Sequence, residues 1–568
     1  METTSTSSLH RPTTLAALQN QTFDLLVIGG GATGTGIALD AASRGLKTAL
    51  VEKRDFASGT SSKSTKLIHG GLRYLQQLDI ALVRETGTER AIVHRLAPHI
   101  VLPEKMLMPI VKGGKYGYWM ASFGLKVYDI LANVKGDDRR KMLNKTQSLI
   151  KEPLLSKENL KGGVFYAEYR TDDARLTIEL IKSAVRYGAI AANYCQINDF
   201  VYTDGTVSGA ICKDELTGNS FTIKAKKIVS AGGPWVDKLR KKDKSLEGKR
   251  LHLTKGVHLV VPHEKFPLKH TIYFDVPDGR MIFAIPRGKI TYIGTTDTTY
   301  KADLNRIVTT QADAHYLLNA VNSIFPSINL TLTDVESNWA GLRPLIHEDG
   351  KSPSELSRKD EIFISPQGLI SIAGGKLTGY RKMAQRIVNL VVKQFSRTEK
   401  RAFKKCQTRT ISLNEKPLSN AKAVQAYIKE LQNKVSAIGL EAYYGWYLGT
   451  VYGQQAEDIL SKMKDFSTDA PQIALARAEA WFGVHYEMVN RADDFFVRRT
   501  GRLYFDIGSI ATIRTTVMTD LQNYLGWDAA RLAKENEHLD ELIYDATHYY
   551  EEELMPVPAK EVGLSTLT

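Results

Sequence analysis

Between Phe23 and Lys53 the chain reads FDLLVIGGGATGTGIALDAASRGLKTALVEK. Leu25 to Ile28 form a short apolar run, as a parallel strand buried on both faces requires. Gly29, Gly31 and Gly34 follow at GxGxxG spacing. A helical pattern through Ile37, Leu39, Ala41 and Ala42 ends at Gly45, and Thr48 to Val51 make a second strand closed by Glu52. Each position has a physical job. Gly29 permits the tight turn, Gly31 lets backbone approach a pyrophosphate, and Gly34 lets helix and strand pack closely. The helix start at Ala32 and Thr33 offers N–H groups and a positive dipole end to phosphate, and Glu52 can accept hydrogen bonds from ribose hydroxyls. An ordinary tight strand-to-helix turn is the bland alternative, and the acid at the expected distance argues against it.

Both NAD and FAD use this unit, and the continuation separates them. After Lys53 comes SGTSSKSTKLIHGGLRYL (58–75), where an NAD domain would proceed to further βαβ units. Its small hydroxyl and glycine residues suit a chain passing close to a pyrophosphate and a flavin ring: Thr60, Ser61, Ser62, Thr65, Lys66, Leu67, His69, Gly70 and Gly71. Two later segments fit the same role. One, IVSAGGPWVD, ends a strand in a turn at Ala231 and Gly232 beside Trp235. The other, LISIAGGKLTGYRKMA, places Gly374, Gly375, Lys376, Leu377 and Thr378 between a strand and a helix. FAD is therefore the expected cofactor.

The 568 residues suffice for several domains, and 43% apolar with 24% charged residues is ordinary for a globular protein. The fold class expected is α/β (α+β): a Rossmann-like FAD-binding domain, a β-rich substrate domain and a mainly α-helical C-terminal domain. Residues 1–20, rich in Ser and Thr, read as a disordered tail without a secretory or transit signal. Residues 21–395 read as the FAD and substrate domain. Its FAD part lies near 21–85, 170–250 and 340–395, and its substrate or cap part near 86–169 and 251–339. Strand-like runs include 199–203, 221–231, 257–262, 281–285, 290–294 and 362–372. A linker is expected from Phe395 to Pro417, and 400–568 reads as helical, with 474–499 at helical period. Three cysteines without CxxC spacing suit a reducing compartment and offer no metal site. No run of about 18 apolar residues exists, so membrane contact would be peripheral.

The motifs ATGTGIALDAASRG, TSSKSTKLIHGGLRYL, DDARL, AGGPWV, KGVHLVVP, IGTTD, GLRPL and GGKLTGYRKMA occur in one order along 23–395. Together they resemble the FAD-dependent glycerol-3-phosphate dehydrogenases, within the group related to D-amino-acid oxidase. Residues 474–503 resemble that family's helical C-terminal domain. The resemblance implies oxidation of glycerol 3-phosphate to dihydroxyacetone phosphate, with electrons passed to ubiquinone or menaquinone.

Such a reaction needs fixed positive charge for the phosphate, a base for the hydroxyl proton, and the substrate C–H beside the flavin. By resemblance, Arg73, Arg343 and Lys376 line the pocket with Tyr74 and Thr296, and Arg358 in SELSRKD matches a further position. A surface ion pair is the bland alternative for each cation. His258 in KGVHLVVP is the expected base and His69 its rival; a lone His in an apolar strand is often structural.

The +14 formal charge suits anionic substrates, an anionic membrane surface or nucleic acid. The segment 112–141 mixes Tyr116, Trp119 and Phe123 with Lys112, Lys126, Arg139 and Arg140, a composition that suits a bilayer surface or a core-packed helix. A cytoplasmic protein held at the inner face of the cell membrane is expected, with homodimer contact a role for the C-terminal domain. The alternatives are an oxidase of the same substrate that makes hydrogen peroxide, and a basic FAD-binding protein that interacts with RNA. No nucleic-acid motif with interleaved aromatics is present, so a nucleic-acid partner is not expected.

Overall fold

The computed structural model describes residues 5–69, 80–114, 140–347 and 360–551. Two sheets organise it. In the first, the strand order is Asp360–Ile364, Ile370–Gly374, Ser220–Ser230, Thr22–Ile28, Thr48–Val51 and Ile190–Ala192. The last five run parallel to one another, and the first is antiparallel to its neighbour. Strands Cys195–Thr203 and Thr206–Asp214 extend the sheet as an antiparallel pair. The strands are apolar on both sides because both faces are covered. Leu25 and Val27 meet the helices Ala32–Ser43, Asp173–Arg186 and Tyr380–Thr398, while Leu26 and Ile28 pack with Val207 and Leu18.

The second sheet is mostly antiparallel. Its long strand Leu251–Pro262 pairs with Ser337–Ile346 from Leu251↔Ile346 to Val260↔Ser337, and with Ile290–Gly294 on its other edge. Helix Gln311–Ile324, opened by a capping box at Thr310 and Asp313, covers one face. Helices beyond residue 470 cover the other, against Tyr292 and Trp339. Among the described residues, 421–547 contain helices and no strand.

Four expectations need correction. The N-terminal tail is ordered from Ser5. Arg11–Asn20 is a helix, and Leu18 is fully buried, which is worth about 1.5–3 kcal/mol. The hydroxyls of Ser7 and Ser8 donate to the carbonyls of Val484 and Val489, and Arg11 pairs with Asp214 at 2.6 Å. The run 362–372 is two antiparallel strands around a turn, since Gly368 (φ +90°) reverses the chain. The helix Tyr380–Thr398 runs through the expected start of the linker, and 399–420 carry neither helix nor strand. Finally, Ser337–Ile346 and the short strand Leu67–Ile68 belong to the second sheet, so 340–346 and 67–68 are not part of the nucleotide-binding sheet.

Candidate active site

The carboxyl ends of four neighbouring parallel strands open on one side. Thr22–Ile28 leads into Gly29, Thr48–Val51 into Glu52, Ser220–Ser230 into Ala231, and Ile370–Gly374 into Gly375. Ligands of open α/β sheets bind at this edge, where successive connections leave in opposite directions. A cleft of about 500 Å³ lies there and continues onto the second sheet.

The glycine turn is built as its spacing predicts. Gly29 has φ +115°, and a Cβ on it would lie 2.5 Å from the Ala231 carbonyl oxygen. A Cβ on Gly34 would lie 1.9 Å from the Gly29 carbonyl oxygen, so only glycine lets the helix start this close to the strand. Glu52 accepts N–H bonds from Gly30 (2.7 Å) and Arg54 (2.9 Å), and burial raises its pKa despite them. The Ser61 hydroxyl accepts from the Ala32 N–H at 3.0 Å.

At the other end, side chains do the work. Strand pairing sets His258 opposite Gly294 and Trp339, and a Cβ on Gly294 would overlap the His258 ring. The ring stacks on Trp339 with centroids 4.7 Å apart. Its Nε2 shares a hydrogen bond with the Thr65 hydroxyl at 3.0 Å, and its buried Nδ1 has no partner among the described residues. Burial, then Arg343 and Lys66, hold the His258 pKa well below its ordinary value, so the imidazole is neutral at pH 7. The Arg343 guanidinium lies over Gly256, where a Cβ would sit 2.3 Å from Nη2. It is oriented by the Thr295 hydroxyl (2.7 Å), the Thr296 carbonyl (3.1 Å) and Asp297 (3.3 Å). Lys376 enters the same cleft from the turn after Gly375.

Most of the expected site converges here. The cleft wall includes Gly29, Gly31, Ala32, Thr33, Glu52, Lys53, Thr60, Ser61, Thr65, Leu67 and His69. It also includes Ala231, Gly232, Trp235, His258, Arg343, Gly374, Gly375, Lys376, Leu377 and Thr378. Four expected residues lie off it, among them Gly34, which packs against the Gly29 carbonyl and shapes the turn without lining the cleft. The Lys66 ammonium donates to the Ser62 carbonyl and to Asp173 at 2.5 Å, so it fixes the loop from behind. The Ser62 side chain faces a second cavity. The Thr296 hydroxyl accepts from the Val257 N–H and donates to the Lys255 carbonyl, a strand-to-turn clamp. Gly70, Gly71, Arg73, Tyr74 and Arg358 lie outside the described residues, as do 115–139 of the basic aromatic segment. Sequence reading missed Gly256 and Gly294 as sockets. Period-two alternation places Gly256 on the His258 face, a usable signal; Gly294 needed the pairing. It also missed Ile197 and Leu239 on the wall, which no local pattern marks.

The cleft fits a dinucleotide. Its floor is the glycine turn and a helix N-terminus. The Trp235 indole N–H and the Tyr380 hydroxyl are buried on its wall without a partner among the described residues, as groups awaiting a ligand would be.

Residues 24–381 match the family described as FAD dependent oxidoreductase, and the chain belongs to that family. Residues 406–532 match the C-terminal domain of alpha-glycerophosphate oxidase. The chain is 48% identical over 543 residues to the aerobic glycerol-3-phosphate dehydrogenase of Bacillus subtilis (strain 168), which covers 95% of this chain and 98% of that protein. It is 46% identical over 534 residues to the enzyme of that name from Staphylococcus aureus (strain USA300), covering 94% and 96%. The solved glycerol-3-phosphate dehydrogenase of Bacillus halodurans, complexed with FAD, superposes with a TM-score of 0.81 at 44% identity, covering 96% of this chain and 99% of that one.

Proposed function

We propose that the protein oxidises sn-glycerol 3-phosphate to dihydroxyacetone phosphate, with FAD as its cofactor and a membrane quinone as the final acceptor. The observation that carries this reading is one cleft. It joins a dinucleotide cradle to an oriented Arg343, a Lys376 and a neutral buried His258. The 48% identity to an aerobic glycerol-3-phosphate dehydrogenase supports the same substrate.

Bound FAD supplies the hydride acceptor. The Thr33 N–H and the helix dipole would hold its pyrophosphate, with the Ser61 hydroxyl that caps the Ala32 N–H beside it, and Glu52 would hold its ribose. Arg343 and Lys376 fix the substrate phosphate, with Arg73, Tyr74 and Arg358 as further contacts by family resemblance. Asp297 and the Thr295 hydroxyl hold the Arg343 fork in place, so little rotamer entropy is lost when phosphate binds. His258 takes the hydroxyl proton as C2–H leaves. A phosphate dianion beside Arg343 offsets the charge that depresses His258 and brings it toward a useful basicity. His69, on the same wall, is the rival base.

Electron exit to quinone would put the protein at the inner face of the cell membrane, with 112–141 as the contact. Among the described residues no helix is long and apolar enough to cross a bilayer. The division into a nucleotide part, a substrate part and a helical part from about residue 400, with a homodimer contact on the last, belongs to the same proposal. The match of 406–532 to an oxidase domain favours a second reading, in which oxygen is the acceptor.

The test is anaerobic absorbance of the purified holoprotein. Glycerol 3-phosphate, and not glycerol, D-amino acids or NADH, is expected to bleach the flavin bands. No bleaching with FAD bound would end the substrate assignment. Readmitting oxygen or a quinone analogue then separates oxidase from dehydrogenase.

A further inference from the structure

Behind the cofactor cleft lies a second cavity of about 650 Å³. Its walls come from the loop Lys53–Lys63, the segment Asn305–Ile307, the strand at Asn338–Ala340, the turn Asp494–Arg499 and the helix Ala529–Thr547. The two cavities share Lys53, Ser58, Lys63, Gln196 and Asn305.

The charges on this wall do not cancel. Its carboxylates are paired: Asp493 with Arg498 (2.6 Å), Asp545 with Arg306 (2.8 Å), Glu215 with Lys213 (3.3 Å), and Glu541 beside His538 (3.7 Å). Lys53, Arg54 and Lys63 have no carboxylate partner among the described residues. Lys53 reaches the Asn305 Oδ1 (3.2 Å) and lies over the Trp235 ring (3.7 Å from its centroid), and Arg54 reaches the Asn305 carbonyl (3.1 Å). No described residue accepts a hydrogen bond from the Lys63 ammonium. Burial, then the nearby Arg54, push both lysines down to about 8. The Arg531 Nε–H is a further buried donor on this wall without a partner among the described residues, although its Nη2 pairs with Glu535 at 2.8 Å. These three clustered, half-buried cations repel one another, because the carboxylates nearest the two lysines (Glu52, Asp303 and Asp545) stand beyond ion-pair distance, and a single multiply charged anion would relieve all three at once.

We infer that this cavity is a second anion site, for inorganic phosphate or a compact phosphomonoester. Its occupant communicates with the cleft. Lys53 and Lys63 belong to both walls, and Trp339, which lines the second cavity, stacks on His258. A ligand there biases affinity in the cleft, and by linkage the reverse holds.

The test is equilibrium dialysis of the holoenzyme with radiolabelled inorganic phosphate. Two sites per chain are expected. Arg54→Gln and Lys63→Gln, each checked for a normal flavin spectrum, should weaken one of them about tenfold or more and leave the other within about twofold. Arg343→Ala should weaken the other by about ten- to a hundredfold, below detection at the phosphate concentrations that fill the wild-type site. A single site lost in Arg343→Ala, or two sites indifferent to both Arg54→Gln and Lys63→Gln, would overturn the inference. Two sites of which Arg343→Ala removes neither would instead count against the phosphate role of Arg343 and leave this cavity standing.

Discussion

At the parallel-sheet end of the cleft, the contacts are main-chain ones. Gly29, Gly31 and Gly34 bring backbone close, and the protein's contribution is N–H groups that cannot be removed by changing a side chain. At the antiparallel end, Gly256 and Gly294 also stand close to neighbours, but there the missing Cβ is a socket for the Arg343 guanidinium and the His258 ring. One end is rigid and recognises a cofactor by shape. The other depends on oriented side chains and has the means to act on a proton and hold a phosphate. The difference teaches where substitutions will be fatal and where they will be graded.

The strongest test of that contrast is Gly34→Ala. The added methyl would overlap the Gly29 carbonyl, so this variant should purify without FAD or fail to fold. Stoichiometric flavin, read from the visible-to-ultraviolet absorbance ratio, would break the comparison. Next is His258→Ala. FAD content should be unchanged, while the rate of anaerobic flavin bleaching falls about a hundredfold or more. An unchanged rate would transfer the base role to His69. Arg343→Ala should weaken a phosphate-bearing competitive inhibitor by about ten- to a hundredfold, through KM more than the reduction rate. Unaltered inhibitor affinity would end the phosphate assignment.

The smallest effect concerns how the helical region is fastened to the parallel sheet. Arg175, on the helix Asp173–Arg186, donates to both oxygens of Glu487 at 2.7 and 2.8 Å. Burial alone would raise the Glu487 carboxyl, but Arg175 and Lys182 outweigh it and hold the pKa at about 2. Its folded value lies below its unfolded one. The stability it contributes is therefore complete above about pH 4.5 and is lost as pH falls toward 2. Between pH 6 and pH 4 that loss is about 1 kcal/mol. Thermal melts of Glu487→Gln should show a shallower acid decline than the parent, and an identical slope would exclude this pair as a pH-sensitive fastening.

The glycine turn, Glu52 and the Gly374–Thr378 turn were legible because their functions need only neighbours in sequence. Ser62, Lys66 and Thr296 were assigned to the site from the same motifs and lie off it. Successive residues in a strand or tight turn face opposite ways, and a motif does not say which face is inward. The Ser/Thr-rich start of the chain misled for another reason. Its composition is that of a flexible tail, yet the partners that order it, Asp214, Val484 and Val489, lie hundreds of residues away.

By itself, the sequence determined the dinucleotide cradle, the α/β class and the resemblance that names a substrate, since spacing and local backbone preference suffice for these. Only the tertiary structure decided that Gly294 makes room for His258, that Arg343 is held by Thr295 and Asp297, and that Lys53, Arg54 and Lys63 crowd a second cavity with no ion pair among the described residues. Each of these depends on strand register or on packing between segments far apart in the chain. Burial and electrostatic strength follow from what lies across that gap.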